Sequence, residues 1–232
     1  MAIRGNSRTL AADVYDQLRD RILSGRLRPG TRLRPSQLRT EFDVSVSVVR
    51  EALTRLAEQQ LVVSKLNLGF AVAPLSRKNL HDIVQCRTEI EGFAIRLSVT
   101  YGDLDWEAGV ISAHHKLERT PLKGADGAIN RDWNAAHSRF HAQLIAGCDN
   151  TQLLTICEGL FRSAELYRLW SDPALGNRDA AAEHKGLAQA ALDRDPERAA
   201  ELLRLHVEKT RDLALENILA LHDGPAESEI VA

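Results

Sequence analysis

Residues 131–144 read RDWNAAHSRFHAQL, and the pattern is that of a helix. Trp133, Ala136, Phe140 and Leu144 recur at the three- and four-residue spacing that lines one helical face. His137 and His141 share that stripe one turn apart, where Cβ atoms stand roughly 5–6 Å from each other. A buried polar group without a partner costs about 1–3 kcal/mol. Each imidazole therefore needs a partner, which backbone, water or a shared metal ion can supply.

Working outward, every segment after Pro74 carries the same helical period. Ser76 caps a long helix with the stripe Leu80, Ile83, Val84, Arg87, Ile90, Ala94 and Leu97. Arg87 stands between aliphatic turns, either in a salt bridge, for instance to Glu91, or as the anchor of a ligand carboxylate. Trp106, Val110, Ala113 and Leu117 mark the next helix, with His114 and His115 expected at its surface or rim. The loop TPLKGADGA precedes the histidine helix, which closes near Gly147. Asp149 or Asn150 caps a further helix with Leu153, Cys157, Leu160, Phe161, Ala164 and an inward Arg168. The loop SDPALGN leads to a helix with Ala180, His184, Leu187, Ala188 and Ala191 on one face. Asp195 and Pro196 start the last long helix, which turns Ala199, Leu202, Leu203, His206, Thr210, Leu213 and Ala214 inward. The tail DGPAESEIVA is expected to fray.

His137, His141, His184 and His206 thus fall on core stripes of three helices, and Arg87 and Arg168 on those of two others. One polar cavity inside a helical bundle accounts for all six. Imidazoles from facing helices are a usual way to hold a transition metal in such a core. Histidine ligation without cysteine suits zinc or nickel, and manganese less well.

The first 75 residues have another character. They carry twelve Lys+Arg against seven Asp+Glu, although the whole chain has a net charge of −2. A basic head on an acidic body points to a polyanion partner. A helix from about Thr9 runs through Val14, Leu18 and Ile22 to Gly25, followed by the turn-rich RLRPGTRLRP with a short extended piece at 31–33. A second helix starts near Pro35 and carries Leu38 and Phe42. A third, capped by Ser45, turns Val49, Leu53 and Leu56 inward and Ser47, Arg50 and Thr54 outward. Apolar runs at 61–64 and 70–73 flank residues 65–69 and read as a hairpin. This order is that of a winged helix–turn–helix, which places its third helix in the major groove.

The 232 residues suit two domains: a winged helix–turn–helix over 1–75 and an all-α antiparallel bundle of six or seven helices over 76–222, with a tail over 223–232. No run of eighteen apolar residues is present, and the start MAIRGNSRTL lacks the apolar core of a signal peptide. Cys86, Cys148 and Cys157 form no CxxC pair and sit in apolar helical contexts, so they read as small core residues in a reducing cytoplasm.

The stretch VSVSVVREALTRLAEQQLV at 44–62, followed by NLGFAV at 67–72, resembles the GntR family of bacterial transcription regulators. The resemblance implies that Ser45, Ser47 and Arg50 contact DNA from the recognition helix, Arg34 from just before the second helix, and Lys65 and Asn67 from the wing. Where many members have Arg directly after the first Ser, this chain has Val46; where many have Arg before the wing Gly, it has Leu68. A bidentate Arg–guanine contact is worth about 1–3 kcal/mol, so a different operator follows, with Val46 meeting a thymine methyl. The bundle, with a histidine pair at i and i+4, an E-H-x-x-L stretch and a later histidine, resembles the FadR-type FCD ligand-binding domain. That implies metal ligation by His137, His141, His184 and His206, with Arg87 as second anchor of an effector carboxylate. The first ligand, often Asp or Asn in the broader family, is here His137. RLRPSQL, the run DWEA, HSRFHAQLIAGCDNTQLL and YRLW resemble a carbon-starvation-induced subgroup that governs glutarate and 2-hydroxyglutarate breakdown.

The reading that results is a cytoplasmic, nucleoid-associated homodimeric repressor of bacterial type, bound to palindromic operator DNA and responsive to a small dicarboxylate, with no membrane partner. A metal-sensing regulator is the alternative. A metal hydrolase is disfavoured, because the helix reads HSRFH rather than HExxH and Glu183 points about 100° away from its neighbour His184.

Overall fold

A computed structural model describes residues 9–65, 69–124, 127, 129–170 and 178–222; for Lys65, residues 169–170 and residues 217–222 it describes the backbone. The loop at 171–177, the wing tip with Asn67 and Leu68, and the tail at 223–232 lie outside the described residues. The chain divides into two compact units, Met1–Leu75 and Ser76–Ala232.

In the first unit, α1 (Leu10–Leu23), β1 (Arg32–Leu33), α2 (Pro35–Glu41), α3 (Val46–Glu58), β2 (Val62–Lys65) and β3 (Gly69–Val72) follow in order. Thr9 and Ser45 cap α1 and α3 by accepting from the amides of Ala12 and Val48, each cap worth about 1 kcal/mol. Leu18 and Ile22 of α1 meet Val49, Leu53 and Leu56 of α3 in a core without accessible surface. The expected hairpin becomes a three-stranded antiparallel sheet in the order β1-β3-β2. The short piece after the Pro-Gly turn pairs with the second hairpin strand, Arg32 opposite Ala71 and Leu33 opposite Phe70.

Among the described residues, the second unit has six helices: α4 (Arg77–Tyr101), α5 (Leu104–Arg119), α6 (Arg131–Ala146), α7 (Thr151–Trp170), α8 (Ala180–Leu192) and α9 (Pro196–His222). Each start is written locally. Ser76, Asp103, Asn130, Asn150, Asp179 and Asp195 each accept a backbone N–H of the first turn. α4 packs along α9 and α7, while α5 packs on α6 and α8. The C-terminal end of α6 docks on the turn between α4 and α5, where Gly147 lies so near that a Cβ would come 2.9 Å from the Gly102 Cα. Arg194, in the left-handed conformation at φ 57°, ties the α8–α9 turn to the same place through the carbonyls of Val99 and Gly102.

Two readings need correction. Ile90 and Leu97 of the α4 stripe are only half-buried, whereas Glu91 and Ser98 are buried, because the inward face of this 25-residue helix drifts around its axis. Cys86 is exposed, while Cys148 and Cys157 are buried. Its helical neighbours Ile83 and Ile90 made its context look apolar, but position 86 lies off the inward face. Burial pushes the Cys157 thiol up to about 12, with Glu91 adding to the effect, so it is an inert core residue.

Candidate metal centre and DNA-reading helix

α6, α8 and α9 bring four imidazoles together. Ring centroids of His137 and His141 are 4.5 Å apart, and those of His184 and His206 are 4.8 Å apart. Across the pairs, His141 lies 5.0 Å from His206 and His137 lies 5.1 Å from His184. All four are buried, with no more than 6% of any exposed. One candidate ligand atom from each lies within 4.8 Å of the others. Trp133 stacks on His137 at 4.9 Å and 22°, and Phe140 and Phe161 wall the cluster at ring distances of 5.6 Å from His184 and His141.

The donor chemistry fits a cation. His137 Nδ1, His141 Nε2 and His184 Nε2 are buried without a hydrogen-bond partner among the described residues, an arrangement that a shared ion would satisfy. Burial pushes all three imidazoles well below their ordinary value of 6.5, and the neighbouring histidines push in the same direction. Burial also lowers His206, against an opposing bond to Glu183. Neutral imidazole is the ligating form. Two nitrogens bound about 2.0–2.1 Å from one ion stand at most about 4.2 Å apart, so the observed 4.8 Å closes with small side-chain rotations.

Two guanidiniums share a cavity with the cluster. His137, His141 and His206 share a small cavity with Arg87, Phe161, Glu165, Arg168 and Thr210. Arg87 makes a bidentate pair with Glu91, Nε to Oε1 at 2.7 Å and Nη2 to Oε2 at 3.0 Å. That uses two of its five N–H groups and realises the salt bridge that its spacing allowed. Arg168 donates to Asn134 Oδ1 and lies 3.9 Å from Glu165; Asn134 in turn donates to Glu165 at 2.7 Å. Asn134 and Glu165 were not singled out in the sequence. The available signal was their position three residues before His137 and Arg168, on adjacent strips of the same helices.

Glu183 keeps the offset from His184 that the sequence reading gave it, and gains a partner that reading did not name. Its offset from His184 on α8 turns it toward α9, where Oε2 comes 2.8 Å from His206 Nδ1. Burial works to raise this carboxyl, but bonds from His206 and Arg178 outweigh it and hold it well below the usual carboxylate range. His114 is half-buried beside Phe140 and His115 is exposed, so both lie outside the cluster.

In the first unit, Arg34, Ser45, Ser47 and Arg50 are exposed and Val46 is half-buried. Ser45 Oγ serves as the cap of α3 and retains its O–H for donation. The Lys65 backbone pairs with Gly69 at the end of the wing strands, and Asn67 lies outside the described residues.

The FCD domain model matches residues 82–209, and the model for bacterial regulatory proteins of the gntR family matches residues 10–72. The HTH-type transcriptional regulator BphR of Paraburkholderia xenovorans (strain LB400) is 37% identical over 88% of this chain and 85% of its own length. The HTH-type transcriptional repressor GlaR of Escherichia coli (strain K12) is 32% identical over 84% of this chain and 91% of its own. Among solved structures, E. coli McbR/YncC superposes with a TM-score of 0.69 at 20% identity, covering 91% of this chain and all of that one, a likeness of fold. The chain belongs to the GntR family of bacterial transcriptional regulators, with a DNA-binding helix–turn–helix and an FCD ligand-binding domain. Its relatives are regulators of transcription, not enzymes.

Proposed function

We propose that this chain is a repressor whose operator affinity is set by a small dicarboxylate held beside a divalent metal ion in the FCD domain. One observation carries the reading: four buried imidazoles converge, and three of them, His137, His141 and His206, line a cavity together with Arg87 and Arg168. His137, His141, His184 and His206 would hold the ion, which suits zinc or nickel better than manganese because every donor is an imidazole. Bound there, the ion supplies a Lewis-acid docking point for a carboxylate oxygen.

Charge favours a dianion. The four imidazoles are held neutral, and Arg87, Arg168 and Arg178 each lie within ion-pair distance of an acid, Glu91, Glu165 and Glu183 respectively. The surroundings therefore sum to about zero, and a divalent ion adds two positive charges to a buried site. Two carboxylates cancel them. Arg87 retains N–H groups beyond its pair with Glu91 and can bond one carboxylate end, and Arg168 lines the same cavity. A five-carbon acid such as glutarate or 2-hydroxyglutarate fits this charge.

Arg50, Ser47, Ser45 and Val46 on α3, Arg34 before α2, and Lys65 and Asn67 of the wing form the DNA-reading set. Two such heads in a cytoplasmic homodimer would read dyad-related half-sites of a palindromic operator. The acid alters repression only if it binds the DNA-competent and incompetent states unequally, with factors of about 5–150 being typical.

Thermal unfolding of zinc- or nickel-loaded protein tests the reading. Glutarate or 2-hydroxyglutarate at about a hundred times its Kd adds about 2.7 kcal/mol and raises Tm by several degrees, whereas a monocarboxylate of equal length does so far less. No response to any dicarboxylate overturns the effector. A response to metal alone that also changes operator affinity identifies the ion itself as the signal.

A further inference from the structure

The four imidazoles are not equivalent. Among the described residues, His206 is the one member of the cluster with a carboxylate at hydrogen-bond distance, Glu183 Oε2 at 2.8 Å from Nδ1. An ionised carboxylate only accepts, so Nδ1 carries the proton and Nε2 carries the lone pair. Arg178 Nη2 also lies 3.2 Å from Nδ1, but two donors cannot bond, and the guanidinium spends its hydrogens elsewhere. It meets both Glu183 oxygens, with Nη2 at 2.7 Å from Oε2 and Nε at 3.1 Å from Oε1. It also donates to Thr210 Oγ1 at 3.0 Å and to the His206 carbonyl at 3.2 Å. Arg178 therefore fixes both the carboxylate and the turn of α9 on which His206 stands.

We infer that Glu183, held by Arg178, is a positioning residue that fixes the tautomer and ring orientation of His206 and so presents Nε2 for metal capture. The inference rests on the metal reading of the histidine cluster. Among the described residues the other three histidines have ring contacts and no hydrogen-bond partner, His137 with Trp133, His141 with Phe161 and His184 with Phe140. None of these contacts selects which nitrogen carries the proton. A carboxylate bonded to the far nitrogen does select it, and it strengthens the near nitrogen as a donor.

The test uses full-length protein with 15N-labelled histidine, as wild type, Glu183→Ala and Glu183→Leu, the last a side chain of similar size without an acceptor, covering the case in which the alanine variant does not fold. Long-range 1H–15N correlation spectra of the metal-free protein read the tautomer, and competition with a chromophoric chelator reads zinc affinity. Wild-type His206 is expected in the Nδ1–H form, lost in whichever variant folds, while His184 is unmoved; zinc binding weakens about 10–100-fold. An unchanged His206 tautomer together with zinc affinity within twofold of wild type overturns the inference, even where thermal stability falls. If wild-type protein takes up no zinc, the metal reading fails instead, and the tautomer spectra alone decide the role of Glu183.

Discussion

The two units treat polar side chains in opposite ways. Among the described residues, the nine buried polar or charged ones, Arg87, Glu91, Ser98, Asn134, His137, His141, Glu165, His184 and His206, all lie in the FCD unit, and none lies in the helix–turn–helix unit. The smaller unit folds around apolar side chains, aliphatic ones with Tyr15 and Phe70, and keeps its cations outside, where Arg34 and Arg50 hold no ion pair with another described residue. A surface built to meet phosphates and base edges gains from cations that are not already neutralised. The larger unit accepts the desolvation of ionic groups in its core and offsets it with partners. A protein spends buried polarity where a small ligand must be enclosed and avoids it where a large polyanion docks from outside.

That contrast can be broken most severely at the cluster. Replacing His184 by Ala removes one of four donors and is expected to weaken zinc binding by more than the 10–100-fold that outer partners command, measured by chelator competition. Operator binding by the effector-free protein, measured by gel shift, is expected to remain. Arg50→Ala reverses the pattern. It should cost about 1–3 kcal/mol of base discrimination, seen as loss of preference for operator over random DNA, with zinc affinity unchanged. Wild-type affinity for the operator at moderate salt would sink the assignment of α3 as reader.

Acid separates the units more gently. All eight histidines lie after residue 75, and burial keeps His137, His141, His184 and His206 neutral below their ordinary value of 6.5. The unfolded chain takes up protons there and the folded chain does not, so stability rises with pH. Above about pH 6.5 both states are neutral and these groups contribute nothing. As pH falls below that, the metal-free FCD unit loses up to about 1.4 kcal/mol per pH unit for each imidazole that stays neutral when folded. Urea unfolding at pH 7.5 and 5.5 should move the transition of this unit while leaving that of the helix–turn–helix unit in place. Equal shifts in both would show that the cluster is not held neutral.

What the sequence disclosed follows the same division. Caps at Ser45, Ser76 and Asp195 and the stripes on α3, α6 and α9 are local signals, and the elements stand where those signals place them. The histidines were legible because a polar residue on an apolar stripe is conspicuous. Glu183 was not, because its role depends on which helix faces the flank of α8. Arg178 precedes α8 and lies on no stripe at all. The pairing of β1 with β3 likewise joins segments that only the folded chain brings together.

The packing of α4 against α9 has a consequence in time. Arg96 and Glu197, which pair across these helices, are 101 positions apart, and α9 also supplies His206. During synthesis α4 emerges long before the helix that covers it. The fourth imidazole and the wall that encloses the other three arrive together, near the end of the FCD unit. A nascent chain holding only α6 and α8 has His137, His141 and His184 but not His206, so if the cluster holds an ion as proposed, that ion would exchange freely until α9 docks.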